Sequence, residues 1–240
     1  MNLDLPKSKV KKELNSPEKL FIYSKPKTGK TEALSLLDNC LILDLEKGSK
    51  YIDAMKIEID SLEHLKAVLQ KIIDEGRPYK YIAVDTITKL EDYALHLALD
   101  LYKATPMGAN FKGLNVLHLP QGAGYQYLRD AMKLITDKIE QCADRIIYLG
   151  HLKTKSIENG GKEVTYQDID LTGKVRSSMS ASVDAVGYLY RSGNQNILTF
   201  KTKEEVICGC RSEHLSNQDV VLSEKIDGKL VAHWDRIFID

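Results

Sequence analysis

The chain lacks any apolar run approaching the roughly 20 residues that a bilayer-spanning helix requires, so no membrane span is expected. It also lacks an excess of charge of either sign. Lys and Arg together number 34, as do Asp and Glu, so the formal net charge is zero. Nucleic-acid binding through a global positive field is thereby excluded, and any such binding must come from a local basic patch. Cysteine is sparse: Cys40, Cys142, Cys208 and Cys210 show no metal-ligand spacing, and Cys208-Gly209-Cys210 is one residue short of a Cys-x-x-Cys pair. Reduced thiols are the expected state, consistent with a cytoplasmic location. His64, His96, His118, His214 and His233 are scattered and read as structural or surface residues. Met1 to Asn15 is charged rather than apolar, so no signal peptide is expected. Internal repeats and low-complexity tracts are absent from the pattern. The length of 240 residues fits one α/β domain, and an apolar fraction of 43% supports a real core.

What is present is a strand–loop–helix segment with a phosphate-binding pattern. The apolar run Leu20-Phe21-Ile22-Tyr23 leads into Ser24-Lys25-Pro26-Lys27-Thr28-Gly29-Lys30-Thr31, and Glu32 opens an apolar-periodic stretch. In a P-loop, backbone N–H groups curl around a phosphate, the lysine reaches the β- and γ-phosphates, and the hydroxyl after it ligates Mg²⁺. Residues 24–32 are therefore the candidate nucleotide-binding segment, with Lys30 on the phosphates and Thr31 on the metal. Ser24 stands where the pattern usually opens with glycine. The alternative is a basic surface turn before a helix. A second acidic motif supports the P-loop: Tyr81-Ile82-Ala83-Val84 is a β-rich run ending in Asp85, a carboxylate placed to hold the Mg²⁺ shell at the end of a strand beside the P-loop. ATP and Mg²⁺ are the cofactors these motifs imply.

The periodicity predicts strands over 19–24, 40–44, 80–85 and 145–151, and helices over 29–38, 62–75, 89–102, 125–142 and 173–182. Residues 103–124 and 153–172 read as long loops, the second with Gly160-Gly161 at its tip. A hairpin is predicted for 183–191 and 197–203 around Gly193-Asn194, with a further strand near 205–211. Strands alternating with helices imply a mostly parallel central sheet flanked by helices, with antiparallel strands added at the C-terminal edge. Residues 1–17 read as a flexible polar arm and 18–240 as the domain.

The order of these pieces resembles the phage-encoded RecA-like AAA ATPases, which include the Sak-four-type single-strand annealing proteins. The resemblance spans about residues 19–203. It runs through the P-loop, Leu43-Asp44-Leu45-Glu46-Lys47-Gly48, Ile82-Ala83-Val84-Asp85-Thr86, Gly122-Ala123-Gly124-Tyr125, Ile146-Ile147-Tyr148-Leu149-Gly150-His151, Leu171-Thr172-Gly173-Lys174-Val175-Arg176 and Val183-Asp184-Ala185-Val186-Gly187-Tyr188. It implies a RecA-like P-loop core in which Glu46 activates the attacking water and Lys30 and His151 complete the catalytic set, His151 as a γ-phosphate sensor. Glu46 could equally be a solvated loop carboxylate, and His151 a strand-end histidine bonded to a loop. It further implies that the segment carrying Lys153, Lys155, Lys162, Lys174 and Arg176 contacts single-stranded DNA, with Tyr166 stacking on a base and Lys103, Phe111 and Lys112 on a companion loop. Lys201 and Lys203, alternating along a strand, would reach the nucleotide of a neighbouring subunit, or else face solvent.

The function so implied is ATP hydrolysis coupled to single-stranded DNA in recombination, annealing or replication, by a homo-oligomeric filament or ring, with a single-strand-binding protein as a further candidate partner. The competing readings are an ATPase that remodels a protein without touching DNA, and a nucleotide-binding structural protein without turnover. A nucleoside kinase is disfavoured, because no Arg-rich lid for a second phosphorylated substrate is found.

Overall fold

The computed structural model describes residue 5 and residues 7–159, 162–202 and 206–240, the side chains of 155–165 excepted. The chain opens with β1 (Lys19–Ser24), α1 (Lys30–Ser35), β2 (Cys40–Asp44), β3 (Lys56–Glu58), α2 (Leu62–Asp74), β4 (Tyr81–Asp85) and α3 (Ile87–Lys103). It continues with α4 (Gly124–Glu140), β5 (Arg145–Asn159), β6 (Lys162–Ile169), α5 (Lys174–Ser182), β7 (Ala185–Ser192) and β8 (Gln195–Thr199). The last strands are β9 (Gly209–Cys210), β10 (Asp219–Ile226) and β11 (Lys229–Ala232).

The main sheet runs β11-β10-β8-β7-β1-β5-β4-β2-β3. The pairs from β7 through β1, β5, β4 and β2 to β3 are parallel, and β8, β10 and β11 are added antiparallel. This is the expected architecture, a mostly parallel sheet between helices with an antiparallel edge. Two adjacencies differ. The strands before Asp85 and before Glu46 were both expected beside the P-loop strand, but β5 lies between β1 and β4, and β5 and β4 lie between β1 and β2. Crossover connections skip strands, so chain order alone does not give neighbours.

Strand alternation splits the core into two faces. Phe21 and Tyr23 of β1 point into the cluster closed by α2, α3, α4 and α5, with Leu65, Leu90 and Leu128 among the buried side chains. Leu20 and Ile22 point to the other face, where the short α1 contributes Ala33 and Leu34 and the C-terminal residues Trp234, Ile237 and Phe238 complete the cover. Each such side chain contributes about 1.5–3 kcal/mol when fully buried. The helix after the P-loop ends at Ser35, short of the predicted 38. It is held from outside its own ladder: the Trp234 indole Nε1 donates to the Ala33 carbonyl at 2.7 Å.

The largest departure is at 153–172. Instead of a loop, β5 continues past the main sheet and pairs antiparallel with β6, from Leu152 opposite Ile169 to Asn159 opposite Lys162. The eight residues of β6 make a two-stranded ribbon about 26 Å long at about 3.3 Å per residue. The tip residues Gly160 and Gly161 lie outside the described residues. In 103–124, two short 3-10 turns interrupt the loop, at Val116–His118 and Pro120–Gly122. Among the described residues of the 1–17 segment, 7–15 are exposed, while Ser16 is buried and accepts the Ile239 N–H at 2.8 Å. Among the described residues, no helix is long and apolar enough to cross a membrane.

Candidate nucleotide site

The parallel strands β1, β5, β4 and β2 end in register, pairing Ser24 with His151, Leu149 with Asp85, and Asp85 with Asp44. Carboxyl ends of parallel strands are where α/β sheets bind ligands, because the loops leaving them converge there. Here they enclose a cleft of about 630 Å³ whose walls include Lys30, Thr31, Glu46, Asp85 and His151. The sequence-derived nucleotide, metal and catalytic residues thus meet in one place.

The loop after β1 turns through Lys27 (φ 62) and Gly29 (φ 99), both left-handed. A side chain at Gly29 would be strained there, and its Cβ would stand 2.9 Å from Asn196 Nδ2. Ser24 has a clear job in place of glycine. It is fully buried, its Oγ accepts the Lys30 ammonium at 2.8 Å, and it donates to the Lys25 carbonyl at 2.9 Å. Lys30 is only 8% exposed, and both of its hydrogen-bond acceptors are neutral oxygens. Burial pushes its pKa down, against the pull of Asp85 and Glu46. A buried ammonium so placed fits a polyphosphate, which would supply the missing negative charge.

Thr31 Oγ1 donates to Asp85 Oδ2 at 2.5 Å across the cleft. Burial raises the Asp85 pKa, and a cation beside it would favour the charged form. The donor set, a hydroxyl and a carboxylate, fits Mg²⁺, which keeps several waters and takes phosphate oxygens as further ligands. No group of three or more His, Cys, Asp or Glu among the described residues could hold a metal alone.

Glu46 sits on the loop after β2. Its Oε1 accepts from Thr86 Oγ1 at 2.6 Å and from His151 Nε2 at 2.7 Å. A carboxylate only accepts, so Nε2 carries the proton. The His151 bond is the leading cause of a Glu46 pKa lowered below the ordinary carboxylate range, which keeps it ionised. Both hydrogen bonds end on Oε1, and among the described residues none ends on Oε2. Sequence reasoning missed what fixes this loop. Buried Asp44 accepts from the N–H groups of Glu46 (3.1 Å), Gly48 (3.3 Å) and Ser49 (3.0 Å), and from Ser49 Oγ (2.5 Å). A carboxylate two residues before Glu46 is the only trace of that role in the sequence.

The ribbon continues directly from His151, so one strand links the Glu46 partner to the predicted DNA-contacting residues. Lys153 pairs with Asp170 at 3.1 Å, and Arg176 pairs with Asp168. Lys174 is exposed at the start of α5. Lys155 lies opposite Tyr166 in the ribbon register, and Lys162 opens β6; the side chains of both lysines lie outside the described residues. Glu91 of α3, missed from the sequence, accepts from Thr172 N (2.8 Å) and Oγ1 (2.9 Å) and so ties down the return from the ribbon. On the 103–124 loop, Lys103 and Lys112 are exposed, while Phe111 packs edge-on against Tyr102 at 5.3 Å, so its ring is engaged within the fold. The alternation argument for Lys201 and Lys203 does not hold: β8 stops at Thr199, Lys201 beyond it pairs with Asp219 at 2.6 Å, and Lys203 lies outside the described residues.

Comparison with solved structures finds similarity to a RadB recombinase, at 11% identity and TM-score 0.44, covering 90% of each chain. A KaiC-like protein from the hyperthermophilic archaeon Pyrococcus horikoshii OT3 is similar at 12% identity and TM-score 0.42, covering 90% of this chain and 89% of that one. No curated protein matches. The model of the AAA domain family matches residues 16–212, most of the chain and all of the cleft just described except Lys225. The chain belongs to the AAA domain family.

Proposed function

We propose that this protein is a Mg²⁺-dependent ATPase acting on single-stranded DNA, as a homo-oligomer, in phage recombination, annealing or replication. The observation that carries the ATPase reading is the convergence of Lys30, the Thr31–Asp85 pair and the Glu46–His151–Thr86 triad in one cleft. Lys30 binds the phosphoryl oxygens, where negative charge develops during transfer. Thr31 and Asp85 would hold Mg²⁺, which would supply positive charge to offset that of the phosphates. Glu46, oriented through Oε1 by Thr86 and His151, takes the proton of the attacking water on Oε2.

Single-stranded DNA as the effector is supported by the place of the ribbon, which extends the strand that carries His151 and bears Lys153, Lys155 and Lys162 along its length. The Lys153–Asp170 pair is about half exposed, and such pairs are worth only about 0–1 kcal/mol, so Lys153 can exchange its carboxylate for a phosphate. The second reading, remodelling of a protein partner, is favoured by the exposed apolar side chains Met107 and Leu114 on the 103–124 loop. ATPase rate with and without single-stranded DNA separates the two. A second measurement localises the contact. Replacing Lys153 and Lys174 together by Ala should make the slope of log affinity against log salt shallower by roughly 1.4, at about 0.7 per phosphate contact on a single strand. An unchanged slope removes both lysines from the DNA site, and no DNA binding in the presence of ATP favours the protein-remodelling reading.

A further inference from the structure

The cleft does not stop at the P-loop. Its far wall is formed by Arg191 at the end of β7 and Lys225 on β10. These strands lie on the opposite side of β1 from β5, β4 and β2, which carry His151, Asp85 and the Glu46 loop. The cleft is therefore polar in a directional sense, with the metal and base residues at one end and two cations at the other. Among the described residues, neither cation has a carboxylate partner.

Arg191 is not simply a surface residue that happens to be near. It faces Asn196 across the β7–β8 ladder, and its Nε donates to Asn196 Oδ1 at 3.3 Å. Asn196 is only 4% exposed and spends its amide donor on buried Ser223 Oγ at 2.9 Å. The same Nδ2 is the atom against which a Cβ at Gly29 would stand at 2.9 Å. The P-loop glycine, the buried amide and the arginine thus form one continuous packed unit. A second tie fixes Lys225: its N–H donates to the Asn194 carbonyl at 3.1 Å, and Asn194 Nδ2 donates to the Lys225 carbonyl at 3.2 Å. The guanidinium is anchored through Nε, which leaves its two terminal NH₂ groups for an anion, the geometry in which Arg recognises phosphate.

Resting on the nucleotide reading above, we infer that Arg191, positioned by Asn196 and assisted by Lys225, binds the α-phosphate of the nucleotide, the one nearest the nucleoside. The direction follows from the strand order. Thr31 and Asp85 mark where the metal-bound terminal phosphates lie, so the rest of the nucleotide extends over Gly29 toward β7, β8 and β10. An α-phosphate contact is common to substrate and product. It contributes binding without changing along the reaction, so it acts on affinity and not on the chemical step.

The test is calorimetric titration of ATP and ADP into wild type and Arg191→Gln, together with kcat at saturating ATP. Affinity for both nucleotides should fall by the same factor, about tenfold for the loss of a charge-assisted contact. The kcat should stay within about twofold, as expected when uniform binding is removed. Unchanged affinity for both nucleotides overturns the inference. So does a loss confined to ATP and accompanied by a fall in kcat, which would put Arg191 at the terminal phosphate. Both results leave the nucleotide site standing. If wild type binds neither nucleotide, the nucleotide reading fails and this inference with it.

Discussion

Lys30→Ala should abolish ATP hydrolysis while weakening nucleotide binding about ten- to a hundredfold, the loss associated with one charge-assisted hydrogen bond. Hydrolysis is hit harder than binding because charge grows on the phosphoryl oxygens in the transition state, and a preorganised buried cation stabilises that state most. The burial of Lys30 sharpens the expectation. Its ammonium is held by Ser24 Oγ and the Lys25 carbonyl, in a cleft whose lining also carries the carboxylates of Glu46 and Asp85. Truncation leaves the buried Ser24 hydroxyl without its donor and removes a positive charge that acts on both Asp85 and Glu46. Steady-state turnover and equilibrium nucleotide titration check the two halves separately. Near-normal turnover in this variant would defeat the assignment of residues 24–32 as a functional P-loop.

Glu46→Gln should give a cleaner split, with nucleotide binding close to wild type and turnover lower by roughly 10²–10⁴-fold. Glutamine keeps an acceptor oxygen for Thr86 and His151 but cannot take a proton. Parallel loss of binding and turnover would instead indicate that Glu46 only holds the loop. The pH profile adds an independent readout. Glu46 acts as the ionised form, which exists above its pKa and is lost as pH falls through it. Because the His151 hydrogen bond is the leading cause of its lowered pKa, the acid limb of kcat in wild type should lie below the ordinary carboxylate range. His151→Ala removes that cause, so the acid limb should move to higher pH. A limb that stays in place would dissociate His151 from the base.

Much of this was readable in the residues, for physical reasons that differ by element. Strands β1, β2 and β4 are continuous apolar runs buried on both faces, which is the mark of a parallel sheet. Helices α2, α3 and α4 carry full apolar stripes. Strand β3 left no such mark, because its residues Lys56–Glu58 sit half-buried at the sheet edge. The β5–β6 ribbon read as a loop because its residues from Lys153 to Asp168 lack an apolar stripe, and the periodicity that signals a strand is absent. Within the site, Lys30, Thr31, Glu46, Asp85 and His151 were legible because each closes or follows an apolar run at a motif spacing, although the strand through His151 continues to Asn159. Asp44, Asn196, Arg191 and Glu91 were not. Their roles arise from hydrogen bonds to other segments, and for Asn196 and Arg191 from the register of a late hairpin against the P-loop.

The C-terminal cover of α1 has a practical corollary. Trp234 is the only tryptophan in the chain, so all indole emission from this protein comes from one position. Its ring is 6% exposed, stacks on Phe238 at 6.0 Å, and gives its N–H to the carbonyl of Ala33, two residues beyond Thr31. A movement of α1 on nucleotide addition would change that bond and with it the surroundings of the indole, so the emission of the unlabelled protein reports directly on whether α1 moves.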